Sequence, residues 1–167
     1  MEKKAFLYDT VLGRIGIAED CGMITNVFFG CTVVPSEYVV AETPLLQEAA
    51  SQLNEYLAGE RTKFYLPMEP EGTPFQLKCW KLLQTIPYGE TITYKEQASI
   101  LGNPKANRAV GRCNGLNPIS IFIPCHRVIG QNGSLMGYAG GVEIKKRLLN
   151  LERETKEAKG KSLFSRW

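Results

Sequence analysis

The sequence predicts an α/β chain of the α+β kind: a small N-terminal β-meander with one helix, then a C-terminal winged helix-turn-helix domain with a candidate active-site cysteine. Three observations predict it. Residues 5–34 alternate or run apolar in short stretches broken by turn residues, the pattern of an antiparallel meander. Residues 67–74, Pro-Met-Glu-Pro-Glu-Gly-Thr-Pro, hold three prolines and a glycine, the composition of a linker. Beyond it, two short helical patterns meet at Gly102-Asn103-Pro104, and an Asn-Gly turn follows at Asn132-Gly133. The expected division is therefore 1–70, 71–155 and a charged tail, 156–167, expected to fray or stay disordered.

In the first part, Phe6–Tyr8, Gly13–Ala18 and Ile24–Phe29 read as strands, with Asp20-Cys21-Gly22 as a turn. Thr43 then caps a helix that has Pro44 at its first position. Leu46, Ala49, Ala50, Leu53 and Leu57 repeat at helical spacing, and Gly59 closes it. Phe64–Leu66 is a further expected strand. Thr73-Pro74 repeats the cap-then-proline start, with Phe75, Cys79, Leu82 and Leu83 on the apolar face.

In the second part, Thr93 and Glu96 fit a capping box for a helix ending at Gly102, and Asn103-Pro104 is expected to cap the next one. There Ala106, Ala109, Val110 and Cys113 make a small apolar face, while Lys105, Arg108 and Arg112 make a basic one. The pair fits a DNA-binding helix-turn-helix, or an ordinary helical hairpin with a solvated face. Asn114–Pro118 breaks the helix. Ile119–Ile123 reads as a buried strand stopped by Pro124, and Val128–Leu135 as the hairpin of a wing. Gly137-Tyr138-Ala139-Gly140-Gly141 is a loop whose backbone can approach a ligand closely. Ile144, Leu148, Leu149 and Leu151 mark a final helix.

Composition narrows the classes. The chain has 167 residues, 44% hydrophobic and 22% charged, ordinary for a soluble globular protein with a core of its own. No apolar run reaches the ~18 residues of a membrane span, and the first residues lack a signal-peptide core. Five cysteines without a CxxC, with one histidine, argue against a disulfide framework and against a zinc site, and fit a reducing cytoplasm. Charge is lopsided: residues 1–74 carry 5 Lys+Arg against 11 Asp+Glu, and residues 75–167 carry 15 against 6. A basic second half suits a polyanionic partner, or is a solvated surface with a basic tail.

The chemistry centres on Ile123-Pro124-Cys125-His126-Arg127-Val128, which contains the sole histidine. A thiol becomes a nucleophile as its thiolate, which needs a cation, a base or a helix N-terminus nearby. His126 and Arg127 are both in local reach. Glu152 falls four residues after Leu148 and three after Leu149, on or beside the apolar face of the last helix. A buried acid needs a partner, and an imidazole that it orients is the obvious one.

Tyr94, Asn103-Pro104-Lys105-Ala106-Asn107-Arg108-Ala109-Val110-Gly111, Asn117-Pro118, Ile123–Val128 and Gly137–Gly141, in this order and spacing, resemble the O6-alkylguanine-DNA alkyltransferases, also called methylated-DNA–protein-cysteine methyltransferases. The resemblance is dense over residues 75–152 and loose before them. It implies irreversible transfer of an alkyl group from O6 of guanine, and more slowly O4 of thymine, in double-stranded DNA to Cys125, after the base is flipped out of the stack. His126 would take the thiol proton through a water and Glu152 would orient His126. Tyr94 would face guanine N3. Arg108 would fill the vacated stack from a helix in the minor groove, where Ala106 and Ala109 permit close approach and Lys105, Arg112 and Asn114 flank it. Asn117 would be the hinge joining the helix-turn-helix to the active-site turn. The backbone carbonyls of Cys125 and Val128 would accept from the guanine 2-amino group, and Tyr138 with the Ala139 N–H would close over O6. Ala139 stands where some members carry serine, and Met136 adds bulk that would narrow the pocket. No cofactor and no metal are expected, and the chain is expected to act as a monomer, of which several could share one duplex.

Three other readings are weighed against this one. A non-catalytic lesion-sensing relative would have tryptophan at position 125, where this chain has cysteine. A winged-helix transcription factor leaves Cys125, His126 and Glu152 unexplained together. A thiol protease lacks any oxyanion or cleft signature.

Overall fold

The structure is a computed structural model, and it describes residues 2–135 and 137–164. The first three predicted strands form. They are β1 (Lys4–Thr10), β2 (Gly13–Asp20) and β3 (Met23–Phe29), antiparallel in sequence order, with β1 opposite β2 from Lys4↔Glu19 to Thr10↔Gly13. The β2–β3 turn puts both Cys21 (φ 52°) and Gly22 (φ 76°) in the left-handed region, the geometry whose twist suits a two-residue hairpin. A two-residue strand, β4 (Val39–Val40), adds in parallel beside β1, so the sheet order is β3-β2-β1-β4.

Helix α1 (Pro44–Leu57) starts as the sequence predicts: Thr43 is extended and its hydroxyl accepts from Leu46 N. Leu46, Ala49, Ala50, Leu53 and Tyr56 bury against Ile15 and Ile17 of β2. Each such leucine contributes about 1.5–3 kcal/mol through burial. Phe64–Leu66 does not form the expected strand; the bridge in this stretch comes at Met68, opposite Ile24. The proline-rich linker is strapped to β3, because Ile24 N donates to Pro67 O and Glu69 N to Ile24 O.

Helix α2 (Pro74–Leu83) opens with a full capping box between Thr73 and Gln76. Its dominant buried side chain is Trp80, whose Nε1 donates to Cys113 O at 2.8 Å; Cys79 and Leu83 are buried with it, and Phe75 is exposed. A short strand, β5 (Ile92–Thr93), leads into α3 (Tyr94–Ile100), where the Thr93 hydroxyl accepts from Glu96 N. Gly102 (φ 91°) ends that turn of chain.

The next helix, α4, spans Asn107–Gly115 and begins later than expected. The Asn103 side chain accepts from Lys105 N and Ala106 N donates to Asn103 O, so residues 103–106 close a turn of their own. Lys105 therefore stands before the helix, not on a stripe with Arg108 and Arg112. Ala109 is exposed, not part of the buried face, which consists of Val110, Cys113 and Asn114.

Ile119–Ile123 is buried but is not a strand. Ile123 N donates to Ile119 O, and Ile121 sits at φ 76°. Apolar composition reports burial, and cannot tell a buried coil from a strand. The expected wing is also reduced. Asn132-Gly133 makes its turn, with Gly133 N to Gly130 O at 2.9 Å, but β6 (Val128–Ile129) pairs in parallel with β5 rather than with residues past the turn. The last helix, α5, covers Val142–Phe164, so it runs on into the stretch read from sequence as a tail. Thr155 and Lys156 pack against Gly59 and Gly89, which anchors this stretch to both halves. Buried side chains from both halves form one hydrophobic cluster, with Phe64 against Phe122 at 4.7 Å between ring centres.

Candidate active site

Asn117 builds the turn that carries the cysteine. Its Nδ2 donates to Ile123 O at 2.8 Å and its Oδ1 accepts from Ile119 N at 3.0 Å, so one amide clamps both ends of the buried coil. Ile121 is held in a conformation that costs a β-branched residue about 1–3 kcal/mol, and the clamp is what imposes it. Pro124 ends the coil, and Cys125–Arg127 form a single 3-10 turn against α5.

Five donors converge on one carboxylate there. Glu152 Oε2 lies 2.7 Å from His126 Nε2, accepts from Tyr56 Oη at 2.5 Å, and accepts from Arg127 Nη2 at 3.0 Å. Glu152 Oε1 accepts from Arg127 Nε at 2.8 Å and from the Gly89 N–H at 3.0 Å. All three side chains His126, Arg127 and Glu152 are buried, so the group meets the condition under which a buried charge is tolerated: pairing plus full hydrogen bonding. Burial alone would raise the Glu152 pKa, but hydrogen bonds and charge from His126 and Arg127 outweigh it and hold the carboxyl well below the usual range. Burial lowers the His126 pKa, against the opposing pull of Glu152. The imidazole is thus neutral at pH 7, with its Nε2–H on Glu152. Its Nδ1 has no hydrogen-bond partner, which leaves a lone pair to receive a proton.

Cys125 is 3% exposed. Burial pushes its thiol pKa up, while hydrogen bonds from Asn117 and Ser120 and the charge of Lys145 pull it back. The resting group is a thiol, because desolvation exceeds the local donors. Lys145 is the site residue that sequence reasoning missed. It lies on α5 seven residues before Glu152, at helical spacing with Leu148 and Leu149, and is fully buried. Its Nζ donates to Val128 O at 2.6 Å and to Tyr94 Oη at 3.3 Å. The Val128 carbonyl, expected to meet substrate, is therefore already partnered. Tyr56 was equally unassigned, although it sits on the apolar stripe of α1, seven residues after Ala49, and Arg127, read as a cation in reach of the thiol, is spent on Glu152.

A groove of about 580 Å³ opens beside α4. Tyr94, Arg108, Gly111, Arg112, Gly115 and Gly137 line it, so it is basic on one rim and narrow-backboned on the other. Tyr94 packs over Gly111, whose missing Cβ would lie 3.6 Å from the ring. Tyr94 also joins the groove to the cysteine: burial and then the Cys125 charge raise its phenol pKa. Tyr138 is buried at the glycine loop, held from behind by Phe29 of β3 at 6.0 Å, and Ala139 beside it is exposed. Met136 lies outside the described residues.

The basic residues fall as follows. Arg108, Arg112 and Lys105 are exposed and Ala106 is half-buried. Asn114 is not at the surface, contrary to its expected DNA contact. It is buried, and exchanges two hydrogen bonds with Gln97 of α3, at 2.7 and 3.1 Å. Its role is to lock α3 to α4. Among the described residues no group of three or more His, Cys, Asp or Glu is placed to hold a metal, and no helix is long and apolar enough to cross a membrane.

Known proteins resemble this chain along most of its length. The family model described as 6-O-methylguanine DNA methyltransferase, DNA binding domain, matches residues 74–154, and the one described as its ribonuclease-like domain matches residues 4–70. A constitutive methylated-DNA–protein-cysteine methyltransferase of Bacillus subtilis is 50% identical over 154 residues, covering 87% of this chain and 92% of that protein. A Methanosarcina acetivorans relative of the same description is 55% identical over 119 residues, 71% of this chain and 76% of its own length. The crystal structure of Mycobacterium tuberculosis OGT in complex with DNA superposes with a TM-score of 0.84 at 41% identity, covering 91% of this chain and 94% of that one. With family models matching residues 4–70 and 74–154, and a relative 50% identical over 154 residues, this chain belongs to the 6-O-methylguanine DNA methyltransferase family.

Proposed function

We infer that this chain repairs DNA by direct reversal, moving an alkyl group from O6 of guanine to the sulfur of Cys125. The observation that carries this is the 2.7 Å contact of His126 Nε2 with Glu152 Oε2, which orients the imidazole so that Nδ1 is the open base.

The Cys125 proton passes to His126 Nδ1, directly or through one water, and Glu152 stabilises the imidazolium that results. The sulfur attacks the alkyl carbon, and the carbon–O6 bond breaks. Tyr94 gives its hydroxyl proton to guanine N3, so guanine leaves neutral. Lys145, 3.3 Å from the Tyr94 oxygen and with a pKa lowered by burial, returns a proton to the phenolate. The thioether that remains has no thiolate to regenerate, so each molecule acts once.

Because Cys125 is 3% exposed, the lesion cannot be reached within an intact duplex. The base is flipped into the groove at α4, where Arg108 replaces it in the stack from the minor groove, and Lys105 and Arg112 hold phosphates. Tyr94 or the Gly137–Gly141 loop shifts to let the alkyl oxygen meet the sulfur. Asn117 keeps the turn in place, and Tyr138 with the Ala139 N–H closes over O6. Slower action on O4-alkylthymine, monomeric binding with several chains on one duplex, and residence in the reducing cytoplasm complete the proposal. Residues 1–70 act as the supporting unit and 71–155 as the DNA-binding and acceptor unit. The test is transfer of label from a duplex with O6-[methyl-labelled] guanine to protein. One equivalent per chain is expected, and turnover beyond one equivalent, or none, contradicts the proposal.

A further inference from the structure

The N-terminal half reaches into the proton relay at one atom. Tyr56 of α1 is fully buried, and its hydroxyl donates to Glu152 Oε2, the same oxygen that His126 uses. That hydroxyl also lies 3.3 Å from His126 Nε2. We propose that Tyr56 is a positioning residue of the alkyl-transfer site: by drawing charge from Glu152 Oε2 it sets the basicity of His126, and so makes the N-terminal domain part of the chemistry. The inference rests on the function proposed above.

Geometry carries the argument. An oxygen that serves three donors has less charge to share with each, and here the three are Tyr56, His126 and Arg127. The phenol cannot compete as an anion, because burial and then Glu152 push its pKa well above the ordinary value. It is therefore a fixed neutral donor. The other groups facing the relay are Lys145 and Glu152 from α5, Arg127 from the active-site turn, Cys125 before it, and the rings of Tyr88 and Tyr138. None of them is supplied by the N-terminal half. Packing fixes the phenol further: Phe64 lies 5.1 Å and Tyr88 6.1 Å from its ring centre.

Tyr56→Phe keeps the ring and removes the hydroxyl. Glu152 Oε2 then gives more charge to His126, the imidazole becomes more basic, and it stays protonated to higher pH. Single-turnover alkyl transfer, measured from about pH 4.5 to 8 with saturating O6-methylguanine duplex, should show its acid limb moved upward by about half a unit or more. The rate above that limb should stay within about threefold of the parent, because the base itself is intact. Leu57→Ala on the same helix controls for loss of stability. It should lower the urea midpoint and leave the limb where it was. A limb in Tyr56→Phe that coincides with the parent's, or moves to lower pH, overturns the proposal. Failure of the parent chain to alkylate Cys125 at all would instead overturn the function on which it rests.

Discussion

Arg127 grips Glu152 with one edge of its guanidinium, Nε to Oε1 at 2.8 Å and Nη2 to Oε2 at 3.0 Å, and it also donates from Nη1 to Ile86 O at 2.7 Å. The fork gives both carboxylate oxygens a permanent cation, so a charged imidazole is not their only counter-charge. His126 can then rest neutral and serve as a base. A lysine has a charge of the same sign but only one point of attachment, so it cannot reproduce the fork. Arg127→Met, which leaves Glu152 without its cation, should lower stability by about 3–5 kcal/mol in urea denaturation, the range for removing one partner of a buried pair. A loss under about 1 kcal/mol would show that the pair is solvated and not the anchor described.

Asn114 distinguishes a structural from a DNA-contacting role. Its amide pairs with Gln97 inside the α3–α4 interface. Asn114→Ala leaves Gln97 Oε1 buried without its donor, a loss of about 1–3 kcal/mol. DNA affinity of the folded fraction should be unchanged. A selective loss of affinity with full stability would return Asn114 to the DNA face.

Arg108 is exposed on the groove and touches no part of the relay. Arg108→Ala should slow transfer from duplex far more than reaction with the free base O6-methylguanine, since flipping is needed only in the former. Equal losses on both substrates would remove its flipping role. Lys105→Ala should instead reduce the salt dependence of binding by about one unit of slope, the signature of one phosphate contact.

Stability should fall in acid, from two groups with the same sign. His126 has its pKa lowered by burial, so its contribution is whole above its unfolded value, about 6.5, and declines as pH falls below that. Glu152 is held well below the usual range despite burial, through His126 and Arg127, so its contribution is whole above about pH 4.3 and is lost below it. In alkali the sign reverses for Cys79, pushed up to about 12 by burial and then by Cys113, whose contribution is lost as pH rises past about 8.5. Urea midpoints at pH 5 should lie below those at pH 7.5; equal midpoints would contradict the buried neutral imidazole.

Much of this site can be read from residue order, and what escapes such reading has a physical cause. Cys125 and His126 are adjacent, and Glu152 falls on an apolar helical face, so local spacing brings the relay together. The same spacing places Lys145 and Tyr56 on buried stripes, but their polar heads suggest the surface until their partners, Val128 O and Glu152, are seen. Asn114 fails in the opposite direction, since periodicity shows which residues share a face and not that α3 covers it. Lys105 is separated from its stripe because Asn103 forms a turn before the helix begins. Ile119–Ile123 has the composition of a strand, but Asn117 folds it into a clamped coil, a contact that no apolar pattern reports.

The central claim is that one sulfur among five cysteines takes the alkyl group. Reaction with a duplex bearing a single O6-methylguanine, proteolysis and fragment mass analysis would place the added methyl. The account predicts it on Cys125, in full yield, and its loss in both Cys125→Ser and denatured chain. Methyl on Cys21 or Cys31, or on any cysteine to the same extent in Cys125→Ser, would contradict it.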